Sequence, residues 1–551
     1  MMSMSKSKMM KRILGALIVV VIAVVAVCAR GRQQQEKTQE FSPLQKLGYT
    51  ERLIESFYVD TVDSPKMVEA AIIAMLKTLD PHSVYTDAEE TKELTTPLAG
   101  NFSGIGIQFN MNNDSLYVIQ TTAGGPSEAV GIQPGDRILS ANDTIISGAG
   151  RSNSEILNIL RGPKGTEVLV KVLRRGVTEP ITFRIIRDDI PLYSVDAAYM
   201  ESPTTGYIRV SRFAEDTGNE VAEAVKKLKK EGMKDLIIDL EDNGGGYLNP
   251  AFDMASLFLQ PGDLVVYTDG ARVPRQDYKV KGKPLMPEGR LVVMVNQNSA
   301  SASEIFAGAI QDNDRGLIVG RRTFGKGLVQ RPFPFPDGSM VRLTVSRYHT
   351  PTGRSIQKPY VKGEGDDYHM DLYNRYMSGE FMSADSIHFA DSLKVETLKN
   401  HRVVYGGGGI MPDLFVPIDT TMYSDYYRDL MANGIFNRYA VEYVDQHRDE
   451  IKRNYQTESD FVKNFSFTPE MVDALVALGE KNGVKLNEKG LERSRDIICA
   501  VTKGLIARDV WDMNGYFRSV NPVSRGTYEK ALELVNDKEL YDRLITGSGK
   551  V

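Results

Sequence analysis

The spacing of hydrophobic positions changes several times along the chain, and each change marks a segment. Residues 13–29 form an apolar run without a charge, preceded by Lys6, Lys8, Lys11 and Arg12 and followed by a polar turn at 30–36. About 40–98 the period is helical, with Ser64-Pro65 as an N-cap and first-turn pair before Met67, Val68, Ala71, Ile72 and Met75. Between about 100 and 188 short strands at 115–121, 136–141, 167–173 and 181–187 surround one helix at 154–160, which predicts a compact β-rich module. From about 190 to 417 continuous apolar strands at 236–240, 291–295 and 317–320 alternate with helical faces such as Glu304, Ile305, Phe306, Ala309 and Ile310. Residues 355–405 are polar and tyrosine-rich and read as an insertion. From about 418 to 551 the period is helical again, with Thr468-Pro469-Glu470 opening one helix and another running from Ile497 to Trp511. The predicted fold class is multidomain α+β, with N-terminal helices and a C-terminal helical domain for packing or oligomerisation.

The most informative chemistry lies between 296 and 330. A polar turn, Asn296-Gln297-Asn298-Ser299-Ala300-Ser301-Ala302-Ser303, joins the 291–295 strand to a helix, and Thr323-Phe324-Gly325-Lys326-Gly327 follows the next strand without any histidine between. Small serine-alanine turns commonly cap helices, and a lysine between glycines is commonly solvated. Together they suggest a serine nucleophile served by a lysine base. A strand, helix, strand crossover brings the two loops to one sheet edge. A helix N-terminus would stabilise a developing oxyanion. The lysine must be largely neutral, so burial should bring its pKa to roughly 7–8. A second glycine run, Asn243-Gly244-Gly245-Gly246, ends the 236–240 strand, where backbone can approach a ligand closely.

The runs Ser299-Ala300-Ser301-Ala302-Ser303-Glu304-Ile305, Gln311-Asp312 and Phe324-Gly325-Lys326-Gly327-Leu328-Val329-Gln330 resemble, in order and spacing, the C-terminal processing peptidases, tail-specific serine proteases with an embedded PDZ domain. That resemblance implies a ClpP/crotonase-like α/β protease core with an inserted PDZ domain. It also implies Ser301 as nucleophile, Lys326 as general base, Gln330 as supporting amide, and an oxyanion hole from the amides of Gly245 and Ala302. Where many members carry arginine after the Asp-Leu pair, this chain has Glu241. The run Gly131-Ile132-Gln133-Pro134-Gly135-Asp136-Arg137-Ile138 resembles a PDZ domain, whose peptide-binding loop would be Gly104, Ile105, Gly106 and Ile107. Arg161, in the family-like run 160–165, is a candidate relay between PDZ occupancy and the active site. His82, in the family-like run 79–85, is expected to be structural. Gly406-Gly407-Gly408-Gly409-Ile410-Met411-Pro412-Asp413 resembles the close of the protease domain.

Composition narrows the alternatives. A net charge of −5 over 551 residues gives no basic footprint for nucleic acid. Six histidines without ligand spacing, two cysteines and no Gly-Lys-Ser/Thr loop lead to an expectation of no metal, nucleotide or other cofactor. Residues 1–35 read as an export signal or short membrane anchor, placing the protein in the periplasm or on the outer face of a bacterial inner membrane. Val27 before Cys28 disfavours a lipoprotein site, and Cys499 has no expected disulfide partner after export. The expected function is a Ser-Lys endopeptidase that cleaves exported proteins near their C-termini, with protein or peptide tails as partners and a homo-oligomer open. A non-catalytic PDZ scaffold would need the pair to be vestigial, and an acyl-CoA enzyme of the crotonase type would not carry a PDZ domain and an export signal.

Overall fold

The computed structural model describes residues 4–33, 41–112, 114–122, 124–524 and 526–548. It divides into two compact units, residues 1–75 and 76–551. In the first, the helix Met4–Gln33 contains a stretch, Met9–Val27, long and apolar enough to cross a membrane. The side chain of Cys28 lies outside the described residues, so the lipidation reading is not addressed. Helix Pro43–Phe57 opens with a reciprocal capping box between Ser42 and Gln45. The next helix starts one residue earlier than its Ser-Pro signal predicts: Ser64 is already helical, and Asp63 accepts the Lys66 N–H. Asp63 takes the cap because its carboxylate reaches that amide, while the Ser64 hydroxyl donates to Glu51.

The second unit begins its β structure at Val84–Thr86, inside the stretch expected to be helical. These β-branched and aromatic residues pair antiparallel with Met340–His349, a tertiary contact that overrides the surrounding helical period. The PDZ module follows as a sheet with Ile107–Asn112 at one edge, then Ser115–Thr121, Arg137–Ala141, Glu167–Leu173 and Ile181–Ile186. Leu116, Ile138, Ile156, Val168 and Val170 fill its core. Asn101–Gly104 pairs with Asp188–Pro191 where the chain enters and leaves the module.

The α/β core is a six-stranded sheet ordered Val195–Met200, Thr205–Val210, Asp235–Asp239, Leu291–Val295, Leu317–Gly320, Leu414–Phe415, all pairs after the first being parallel. Alternate strand residues serve two cores. Leu236, Ile238, Val293 and Ile318 pack against the helices Thr217–Lys230, Leu248–Ser256 and Ala302–Asp312. Ile237, Val292, Met294 and Val319 pack against Phe517, Tyr528, Leu534, Tyr541 and Leu544 from the last three helices. The C-terminal region is helical, and its side chains divide between two clusters. Residues from Tyr426 to Val510 build their own cluster, whereas Met513–Ser524, Thr527–Asn536 and Lys538–Ile545 cover the second face of the six-stranded sheet. A parallel sheet needs both faces buried, and the tail supplies the missing layer. The same tail reaches the PDZ module, where Gln120 Nε2 donates to the Trp511 carbonyl at 2.7 Å and an Arg175 guanidinium nitrogen donates to the Asp445 carbonyl at 2.6 Å.

A second, antiparallel sheet of five strands contains Val84–Thr86, Leu264–Gly270, Val273–Lys279 and the hairpin Leu328–Pro334/Met340–His349. The 355–405 segment folds as the helix Asp366–Met377 and the hairpin Lys394–Glu396/Val403–Tyr405. It grips the loop before Lys326: Arg375 donates to the carbonyls of Arg322 and Thr323, while Glu380 accepts from both Arg322 and Arg375.

Candidate active site

The strand Leu291–Val295 ends in a turn whose three serines are used differently. Ser299 Oγ donates to the Leu240 carbonyl at 2.7 Å, and Ser303 Oγ donates to the Asn243 carbonyl at 2.8 Å, so both tie the turn to the neighbouring glycine strand end. Ser301 donates its hydroxyl to no acceptor among the described residues. It sits at the N-cap of Ala302–Asp312 with φ 56° and ψ −112°, a conformation that an L-residue holds at a cost.

The helix beginning at Ala302 is entirely buried, and the carboxylate in its first turn, Glu304, joins the two candidate loops. Glu304 Oε2 accepts the Ser301 N–H at 2.8 Å and the Lys326 N–H at 2.9 Å. Glu304 Oε1 accepts Thr323 Oγ1 at 2.5 Å and the Gly325 N–H at 2.7 Å. Burial pushes this carboxyl above its ordinary range, and the four donated hydrogen bonds oppose that shift. From the other side Tyr348 Oη donates to the Lys326 carbonyl at 2.6 Å and lies 3.1 Å from the Ser301 carbonyl. Serine turn and lysine loop are thus held together by one carboxylate and one phenol. Neither residue was identified from the sequence as serving the site. A charged position three after Ser301, in the first turn of the helix, was the available signal for Glu304.

Burial, then the Arg342 guanidinium, bring the Lys326 amine down to about 8, against the opposing pull of Glu304 and Asp80. His82 faces the same space. Its Nε2 lies 2.8 Å from Tyr368 Oη, and burial followed by the Lys326 cation lowers its imidazole to about 3, so it is neutral. Lys358 braces the lysine loop from outside, its Nζ 4.0 Å from the ring centroids of both Phe324 and Tyr368.

The remaining predicted residues are placed as follows. Gly245 lies directly over the serine turn: a Cβ there would stand 2.6 Å from the Ala300 carbonyl, 2.8 Å from Ser301 Cβ and 2.9 Å from the Ala302 nitrogen. Its N–H, however, is donated to Asn243 Oδ1 at 2.9 Å, whereas the Ala302 N–H has no acceptor among the described residues. The expected pair of open amides is therefore half present, because the Asn243 side chain folds back onto the second amide. Gly245→Ala, with φ 98° and no room for a methyl, is expected to lower kcat by about 100-fold through displacement of the serine turn. A wild-type kcat on a peptide substrate would show that this backbone does not border the reacting atoms.

Gln330 Nε2 donates to the Leu328 carbonyl and to Thr344 Oγ1, both at 3.3 Å, and no hydrogen bond from Lys326 to Gln330 is formed in this conformation. Glu241, whose charge pairing the sequence left open, lies 3.7 Å from Arg321, and its carbonyl accepts from Arg209. In the PDZ module Ile105 and Gly106 turn their carbonyls inward, to Ser127 and Thr122, and their N–H groups have no acceptor among the described residues. Ile107 begins the sheet's open edge. The Arg161 guanidinium stacks on Phe102, 4.6 Å from the ring centroid, beside Gly104. Among the described residues no cluster of metal-ligating side chains occurs.

Residues 204–365 match peptidase family S41 and residues 103–185 match the PDZ domain. Residues 24–91 match the N-terminal domain of the activating protease CtpB, and residues 426–512 match a family of unknown function. The chain is 34% identical over 339 residues to a carboxy-terminal-processing protease of Bartonella bacilliformis, covering 61% of this chain and 77% of that one. It is 33% identical over 348 residues to the carboxy-terminal processing protease CtpA of Bacillus subtilis, covering 62% and 74%. Among solved structures, a photosystem II D1 C-terminal processing protease aligns at 28% identity over 56% of this chain and 89% of that one, with a TM-score of 0.32. With a matching catalytic region, a matching PDZ domain and relatives aligned over three quarters of their length, the chain belongs to the carboxy-terminal processing proteases of peptidase family S41, which are serine-type hydrolases.

Proposed function

We propose that this protease uses Ser301 and Lys326 as a dyad to cut exported proteins near their C-termini, and that its PDZ domain captures the tail. The observation that carries the reading is the Glu304 carboxylate, which accepts the backbone N–H of both Ser301 and Lys326 and so fixes the two loops against each other. Neutral Lys326 takes the hydroxyl proton as Ser301 Oγ attacks the scissile carbonyl, then passes that proton to the leaving amine. The Ala302 N–H, at the positive end of its helix, receives the developing oxyanion. Gly245 joins it once Asn243 Oδ1 releases its amide. Gln330 orients the Lys326 amine in the working state.

Tail capture is supported by the open edge at Ile107–Asn112, which can take a peptide as a further strand, and by the amides of Ile105 and Gly106, which have no acceptor among the described residues, for its terminal carboxylate. Arg161, stacked beside Gly104, is the proposed link between an occupied loop and the catalytic domain. The apolar stretch Met9–Val27 supports export or anchoring on the outer side of an inner membrane. The test uses the detergent-solubilised full chain and an unstructured substrate ending in apolar residues. With the C-terminus free, cleavage near the tail is expected, and amidation should raise KM at least tenfold, with kcat changing less. Equal kinetics on both substrates would remove carboxylate capture while leaving the dyad standing.

A further inference from the structure

The loop 80–83 and the residues around Gln330 form a directed chain of hydrogen bonds. Asp80 accepts from four donors: the His82 N–H at 2.9 Å, the Ser83 N–H at 3.1 Å, Ser83 Oγ at 2.6 Å and Thr344 Oγ1 at 2.9 Å. With every partner donating, Asp80 serves as a carboxylate acceptor and is the end point of the chain. Thr344 has one hydroxyl proton, and that proton goes to Asp80. Thr344 Oγ1 therefore presents only lone pairs to Gln330. The other neighbour of the Gln330 amide, the Leu328 carbonyl, is also an acceptor only. Both positions around Gln330 consequently demand its NH2 group, and its Oε1 is turned away from them.

The strand pairing explains how these residues meet. Gln330 lies opposite Thr344 at a register shift between Val329 and Gln330, where a bulge re-aims a side chain. The Asp80 loop runs directly into Val84–Thr86, which pairs with the same long strand at Arg342, Val341 and Met340. Ser83 Oγ also accepts the Thr344 N–H at 3.1 Å, so the loop is fastened to that strand by backbone as well as side chain.

We propose that Asp80, acting through Thr344, is a positioning residue that fixes the orientation of the Gln330 amide, so that Gln330 offers its carbonyl oxygen to the Lys326 amine. This inference rests on the reading of Gln330 given above. A flipped amide would place NH2 hydrogens against Lys326, where they would compete for the lone pair that must take the serine proton. Gln330 Oε1, by contrast, accepts one N–H of the neutral amine and leaves its lone pair for Ser301. The sequence offered no route to this chain, since Asp80 and Thr344 are 264 residues apart.

The experiment measures kcat and KM for single and paired variants of the full chain, with thermal unfolding as the control for folding. Asp80→Asn and Thr344→Val should each lower kcat by about 10- to 100-fold with KM within threefold, since both remove the directing acceptor or its relay. Thr344→Ser, which keeps the hydroxyl, should recover most of the Thr344→Val loss. In a Gln330→Ala background neither Asp80→Asn nor Thr344→Val should lower kcat further. Multiplicative losses in the paired variants, or equal activity of Thr344→Val and Thr344→Ser, would overturn the proposal. Should Asp80→Asn unfold, the two Thr344 variants alone decide it. A fully active Gln330→Ala enzyme would remove the supporting-amide reading itself, and this inference with it. An impaired Gln330→Ala beside a fully active Thr344→Val would sink only the inference.

Discussion

Lys326→Ala is expected to lower kcat/KM by about 100- to 10,000-fold, the range associated with losing a positioned base, and Lys326→Arg is expected to do no better. Arginine stays protonated at any accessible pH, so it can fill the space but cannot take a proton. The pH profile provides the sharper check. Lys326 is brought to about 8 by burial and by Arg342 on the Met340–His349 strand, against Glu304 on the helix behind Ser301 and Asp80 on the 80–83 loop. His82, from that same loop, faces it as a neutral imidazole. Below pH about 8 the amine is protonated, so kcat/KM should fall about tenfold per pH unit. Above it the rate should reach a plateau. Arg342→Gln removes a positive charge, raises the Lys326 pKa and should move this limb to higher pH. Steady-state assays between about pH 5.5 and 9.5 settle the matter. A limb insensitive to Arg342→Gln, or a Lys326→Arg enzyme of near-normal activity, would exclude Lys326 as the base.

What could be read from the sequence was local, and what was missed was long-range. Ser301 and Lys326 stand in short strand-turn-helix and strand-loop units whose residue types betray their geometry. The PDZ strands carry their own alternation and turn residues. The covering of the sheet's second face was hidden because an amphipathic helix announces that it will be buried without saying against what. Phe517, Tyr528, Leu534 and Leu544 read equally well as a separate helical domain, and only tertiary packing assigns them to Val292, Met294 and Val319. The Asn243 side chain on Gly245 was likewise invisible, since a glycine run predicts backbone approach and says nothing of which acceptor reaches it first. Glu304 lay within the recognised motif, yet its apolar neighbours led to its assignment to a packing face.

Glu304 therefore carries the second large expectation. Glu304→Ala leaves the N–H groups of Ser301, Gly325 and Lys326 and the Thr323 hydroxyl without their acceptor in a buried site, a loss of about 3 to 5 kcal/mol. Because those donors belong to the two loops of the proposed dyad, the lesion should fall on activity before it reaches the sheet. Glu304→Gln keeps the shape but offers one acceptor oxygen in place of two, so one pair of donors must face an NH2 group. It should lower the melting temperature less than alanine and still reduce kcat by about 10- to 100-fold. Its electrostatic signature has the opposite sign to that of Arg342→Gln. Glu304 raises the Lys326 pKa, so neutralising it should lower that pKa and move the acid limb of kcat/KM to lower pH. A lesion that merely loosened packing would depress the whole profile without moving its limb. Unchanged kcat and an unmoved limb in Glu304→Gln would mean that its carboxylate neither sets the charge at Lys326 nor holds the dyad together. A lowered kcat with a downward-shifted limb would show that one buried carboxylate does both.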